Sequence, residues 1–200
     1  VTVTANDGQG GTRSTTFNFT VINNPPTYNG GLTTQTPTQG SSVSWPLPGG
    51  SFTDPNGDAL SYSIMVEQPG YTETYWDPQE AAYMVREVPP TWYSGSPLSI
   101  NASTGTITGI PPAFYTPIPP YGGPTYPQPN YRVKIIATDS SGATTEGIFN
   151  LNLNMPPVGG VSDLSFKSSV AWSYQVPTFS DPNGHALTYS VSGLPTGATF

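Results

Sequence analysis

The stretch Phe52-Thr53-Asp54-Pro55-Asn56-Gly57-Asp58-Ala59-Leu60-Ser61-Tyr62-Ser63 returns near the end of the chain as Phe179-Ser180-Asp181-Pro182-Asn183-Gly184-His185-Ala186-Leu187-Thr188-Tyr189-Ser190. The two copies stand 127 residues apart. Each is a carboxylate-bearing turn followed by apolar and polar residues in alternation, which is the period of a half-buried strand. A second pair repeats at nearly the same distance. Val1-Thr2-Val3-Thr4-Ala5, a Gly-rich turn at 6–11 and Thr16-Phe17-Asn18-Phe19-Thr20-Val21-Ile22 read as a hairpin ending at Asn23-Asn24-Pro25-Pro26. Val133 to Thr138, the turn at Asp139 and Ile148 to Leu153 read the same way and end at Asn154-Met155-Pro156-Pro157. A period near 130 residues is too long for a solenoid and reads as separate beads in tandem.

The repeat divides the chain into three. Residues 1–24 are the closing hairpin of one repeat, 25–155 a complete repeat, and 156–200 the first half of the next. The ends allow two expectations. Strands 1–22 of one copy complete 158–200 of a neighbour, head to tail, by strand complementation; or the chain is a segment of a longer repetitive polypeptide. Both lead to a long array. Trp45 and Trp172 also match at 127 residues and are expected in the core.

Composition narrows the class. Charged residues make up 8% of the chain, against about 25% in ordinary globular proteins. Five Lys and Arg at a net charge of −7 leave no basic surface for nucleic acid. No apolar run is long enough to span a bilayer. The absence of cysteine excludes disulfides and thiolate chemistry. With 24 Pro and 22 Gly between strand-length alternating blocks, the chain reads as turn-rich and all-β. The sequons at Asn18 and Asn101 are candidate glycosylation sites and fit an extracellular or cell-surface protein.

Four motifs in order carry a resemblance. They are the Phe52–Ser63 block, Ser103-Thr104-Gly105-Thr106-Ile107-Thr108-Gly109-Ile110-Pro111, Ala137-Thr138-Asp139-Ser140-Ser141-Gly142-Ala143-Thr144 and Gly193-Leu194-Pro195-Thr196-Gly197-Ala198-Thr199-Phe200. Together they resemble the cadherin-like repeats of the dystroglycan type, and equally the immunoglobulin-like repeats of large bacterial surface proteins. The match covers 1–24, 40–64, 89–110, 131–157 and 165–200. The resemblance implies an immunoglobulin/cadherin-like antiparallel β-sandwich used for adhesion or as a spacer.

Two insertions depart from that pattern. Residues 65–93 contain Asp77-Pro78-Gln79-Glu80, the signature of a helix N-terminus, and predict a short helix through Arg86. Residues 111–129, dense in proline, predict an extended segment without ladder bonds.

Asp54, Asn56 and Asp58 place oxygen side chains at alternate positions around Gly57, a turn that can face several oxygens toward a hard cation. In the implied sandwich this loop shares an end with Asp139 and with the linker residue Asn24, and the resemblance implies calcium at such a junction. A second, weaker set is Asp181 and Asn183 with Asp7, where His185 replaces Asp58. The competing reading is an Asx turn that needs no metal. Trp76, Trp92, Tyr93 and Tyr121 in the insertions are open to three roles: a satellite core, a contact between copies of the chain, or a glycan-binding face. No catalytic set emerges. The acids of the first insertion lie on a surface segment, and His185 has no nucleophile beside it. The expected role is a calcium-stiffened surface fibre or adhesin stalk; the alternative is a carbohydrate-binding module.

Overall fold

The computed structural model describes residues 1–115, 127–167 and 170–200. These contain fifteen strands and no helix. In chain order they are β1 (Thr2–Asn6), β2 (Thr12–Thr16), β3 (Thr27–Tyr28), β4 (Val43–Trp45), β5 (Phe52–Thr53), β6 (Ser61–Gln68), β7 (Tyr71–Asp77) and β8 (Ala82–Val88). There follow β9 (Thr91–Tyr93), β10 (Leu98–Ile100), β11 (Ile107–Gly109), β12 (Phe114–Tyr115), β13 (Pro127–Gln128), β14 (Asn130–Thr138) and β15 (Thr144–Asn152). The protein is all-β, and its sheets are antiparallel.

The largest sheet runs β15-β14-β6-β9, and a three-stranded sheet runs β10-β11-β4. Alternation decides which side of each strand is buried. On β14, Tyr131, Val133, Ile135 and Ala137 point inward, opposite Leu151, Phe149, Gly147 and Thr145 of β15. On β6, Val66, Ile64 and Tyr62 continue the same rows. The small sheet adds Leu98, Ile107 and, half-buried, Trp45. Gly147 sits where the two aromatic rings of Tyr28 and Phe52 close over the sheet. A Cβ there would lie 2.9 Å from Phe52 Cζ, Tyr28 Cε2 and Leu32 Cδ1, so only glycine fits without displacing them. Gln35 and Thr38 form parallel bridges to Leu151 and Asn154, which covers part of the β15 edge.

Among the described residues, the buried hydrophobic side chains all lie between Phe52 and Met155. Two flanking expectations change accordingly. The first hairpin pairs β1 with Thr12–Thr16, so of the expected strand 16–22 only its first residue, Thr16, pairs with β1. Val1 already lies opposite Phe17, so no residue of β1 faces 18–22, and Phe19 is 72% exposed. Among the described residues of 156–200 there is an antiparallel bridge, Val158 with Ser180, in place of the opening strands. Trp172 is 48% exposed and stacks on Phe166 at 4.0 Å, outside the core that Trp45 joins.

The predicted helix is absent, and β7 and β8 form a seven-residue antiparallel ladder in its place. Asp77 does cap: its Oδ1 accepts from Gln79 N at 2.8 Å and Glu80 N at 3.3 Å. The same bonds make a turn, and the chain reverses at Ala81 (φ 48°) instead of winding on. The flanks Tyr71–Trp76 and Tyr83–Val88 are rich in aromatic and β-branched residues, which favour the pleated pairing. In the proline-dense insertion, Phe114–Tyr115 pair with Pro127–Gln128, so that segment does contain a ladder.

Tyr131 gives the fold a pH signature. Its hydroxyl donates to Pro112 O at 3.0 Å. Burial pushes the phenol above its ordinary 10.0, and Tyr93 adds to the shift. The unfolded chain therefore loses this proton first, and the stabilisation is full below the unfolded value and declines as pH rises through the folded one. Denaturant melts between about pH 9 and pH 11 should show stability falling. Tyr131→Phe should flatten that slope; an unchanged slope would refute the assignment.

Candidate metal centre

The turn at Asp54 is built by its own sequence. Gly57 N donates to Asp54 O at 3.1 Å, with Pro55 setting the first corner and Gly57 taking φ 79°. Asp54 Oδ1 accepts from Asn56 N at 2.8 Å and Asp58 N at 3.2 Å. The second copy repeats this geometry. Gly184 N reaches Asp181 O at 3.0 Å, and Asp181 Oδ1 accepts from Asn183 N at 2.8 Å and His185 N at 3.2 Å.

The turn at Asp139 connects β14 to β15. Its N donates to Ala143 O at 3.0 Å, and its Oδ1 accepts from Ser141 N at 2.8 Å and Ala143 N at 2.9 Å. Asp7 is placed alike in the first hairpin, with Oδ1 accepting from Gln9 N at 2.8 Å and Gly11 N at 2.9 Å. The two loops differ in burial, since Asp139 is 6% exposed and Asp7 is open to solvent.

Tertiary structure brings Asp139 to the Asp54 turn. One ligand oxygen from each of Asp54, Asp58 and Asp139 lies within 4.8 Å of the others, a group that can hold a metal ion. Asp7 and Asp181 do not join a group of this kind among the described residues. None of the ion pairs made by Arg86, Arg132, Lys134 and His185 involves these three acids. Asp54 Oδ2 is buried and has no hydrogen-bond partner. A buried carboxylate oxygen left unpaired is costly, and a cation is one means of satisfying it. Asp139 Oδ2 accepts from Asn23 Nδ2 at 2.9 Å. That bond is the main cause holding the Asp139 carboxyl below the ordinary 3.8; burial opposes it, and the N–H groups of Ala143, Ser141 and Gly142 assist.

The linker asparagine whose side chain reaches the acids is thus Asn23. Asn24 takes part through its backbone, its N donating to Asn56 Oδ1 at 2.8 Å. Asn56 Nδ2 donates in turn to Ile22 O at 3.3 Å, so both ends of that amide face the linker. Asn23 thus meets the Asp139 loop through its side chain, and Asn24 meets the Asp54 turn through its main chain.

The aromatic candidates disperse. Trp76 is 48% exposed on the β7–β8 hairpin, its ring 4.9 Å from that of Tyr83. Trp92 lies beneath two cations, with Lys134 Nζ 4.7 Å and Arg132 Cζ 5.5 Å from the ring centroid. Arg132 also pairs with the buried Glu67. Tyr93 packs edge-on to Phe114 at 6.1 Å against the core. Tyr121 lies outside the described residues. Asn18 and Asn101 are both exposed, and Asn101 Oδ1 accepts from Ser103 N and Thr104 N.

No protein-family model and no curated protein matches the chain. Among solved structures, a similar chain is a nucleoside hydrolase-related hypothetical protein from Saccharophagus degradans, associated with carbohydrate metabolism. The two are 20% identical with a TM-score of 0.33; the likeness covers 66% of this chain and 26% of the other. A likeness at that score carries no inference about fold or activity.

Proposed function

We propose that this chain is a non-catalytic, extracellular structural protein: an array of immunoglobulin/cadherin-like β-sandwich repeats in a surface fibre or adhesin stalk, with calcium stiffening the junction between repeats. The strand orders support the sandwich. β15-β14-β6-β9 and β10-β11-β4 agree with the two sheets of an immunoglobulin-type domain, packed over a shared core. The duplicated Asp54/Asp181 and Asp7/Asp139 loops support tandem repetition.

The observation that carries the reading is the meeting of linker and acids. Asn23, just before the 25–155 unit, contacts Asp139, whose carboxylate lies beside Asp54 and Asp58. A cation there draws on oxygen donors alone, which suits calcium over zinc or copper. Asp54, Asp58 and Asp139 would hold it, with Asn23 able to offer its amide oxygen if the amide turns over. Calcium offsets two of the three like charges, screens their repulsion and ties the linker to both loops. Thermal melting in calcium and in EDTA is the test, with a higher Tm expected in calcium.

A second reading has the exposed Trp76–Tyr83 pair in its favour: the hairpin binds glycan by stacking sugar rings on these aromatics. Isothermal titration with oligosaccharides should then show binding that Trp76→Ala removes. No heat from any oligosaccharide in the wild-type chain would discard this reading.

A further inference from the structure

The asparagine of each Asp-Pro-Asn-Gly turn does the same thing twice, on different sequences. Asn56 Oδ1 accepts from Asn24 N at 2.8 Å while its Nδ2 donates to Ile22 O at 3.3 Å. Asn183 Oδ1 accepts from Met155 N at 2.8 Å while its Nδ2 donates to Leu153 O at 2.9 Å. In both, one side-chain amide grips the carbonyl of a residue and the N–H of the residue two further on. These are the two contacts that a residue on a parallel neighbouring strand would make about Asn23 or Asn154. The amide stands in for a peptide group. The contacted residues are Ile22 and Asn24 in one copy, Leu153 and Met155 in the other, so recognition uses no linker side chain.

We propose that the Asp-Pro-Asn-Gly turn is a binding site for extended backbone, and that Asn56 and Asn183 seat the segment that runs into each turn, whatever its side chains. The chemistry requires asparagine. Aspartate would keep the acceptor and lose the donor, turning a carboxylate oxygen toward the Ile22 or Leu153 carbonyl. The turn itself presents the side chain: Asp54 and Asp181 hold Asn56 N and Asn183 N at 2.8 Å, which orients each asparagine outward from the corner. Gripping main-chain groups alone lets one turn serve linkers of different sequence. The site is independent of the cation reading, because Asn183 grips its segment where, among the described residues, Asp181 joins no group of acids that could hold a metal.

The test is site-resolved amide hydrogen exchange on the full chain in EDTA, so that metal plays no part. Asn56→Ala should speed exchange at the Asn24 amide about fivefold and leave the Met155 amide unchanged; Asn183→Ala should do the reverse. The Ile135 amide, deep in β14, reports whether the fold survives. The two sites respond independently, so misfolding of one variant leaves the other decisive. Unchanged exchange at Asn24 and Met155, with Ile135 still protected, would overturn the proposal. So would equal acceleration at both amides from either single change. Loss of the EDTA effect on melting with these exchange patterns intact would reject calcium and keep the backbone site.

Discussion

Leu151→Ala is expected to lower the unfolding free energy by about 2–5 kcal/mol, the range for truncating a buried leucine. Leu151 is 0% exposed. It faces Tyr131 across β14–β15 and is bridged on the other side by Gln35, so structure encloses it on both edges. The shell has little room to collapse into the space, which places the loss toward the upper part of the range. Typical domains hold about 5–15 kcal/mol in total, so this one change removes a large share. Phe19→Ala should do the opposite of what residue size suggests. Phe19 is larger than leucine but 72% exposed, and its loss should move stability by about 0.5 kcal/mol or less. Urea melts of the three proteins check both. Comparable destabilisation by the two variants would mean that residues 18–22 bury surface that this fold leaves open.

On the proposed calcium reading, metal removal is expected to be the second large effect. With an affinity of about 10⁻⁴–10⁻³ M, the range of extracellular calcium modules, calcium at about 10 mM adds roughly 1.4–2.7 kcal/mol over EDTA by mass action. For a domain of this size that is a rise in Tm of several degrees. Two variants separate metal binding from turn structure. Asp54→Ala removes the acceptor of Asn56 N and Asp58 N, so it lowers Tm in EDTA and also abolishes the calcium increment. Asp58→Asn removes a charge and keeps the turn bonds, since Asp58 contributes its N–H and not its carboxylate to that turn. Relief of repulsion from Asp54 and Asp139 should leave its Tm in EDTA equal to or above wild type, while its Tm in calcium falls below. An identical Tm for the wild-type chain in calcium and in EDTA would eliminate the metal reading.

Much of this was legible in the chain. Val133 to Thr138 and Ile148 to Leu153 read as two strands about a turn at Asp139, and β14 and β15 pair there. The Asp-Pro-Asn-Gly turns carry their own geometry, because Asp, Pro and Gly each constrain one corner locally. The failures share a cause. Asp77-Pro78-Gln79-Glu80 satisfies the first N–H groups of a helix and of a tight turn equally well. Only the pairing of Tyr71–Asp77 with Ala82–Val88 decides between them, and pairing is a non-local matter. Thr16–Ile22 alternates like a strand, yet alternation does not supply a neighbour, and residues beyond Phe17 have none in β1.

By itself, the sequence determined the strand-forming class, the turns and the 127-residue duplication, since these follow from backbone preferences and from the order of residues. Tertiary structure alone decided that Asp139 stands beside Asp54 and Asp58, that Asn23 rather than Asn24 reaches it, and that Asn56 serves the linker backbone. The physical reason is distance along the chain. Hydrogen bonds spanning 2 or 4 residues within a turn are set by local dihedrals. A bond spanning 116 residues, as from Asn23 to Asp139, exists only because the sheets that bury Val133 and Leu151 carry both ends to one place.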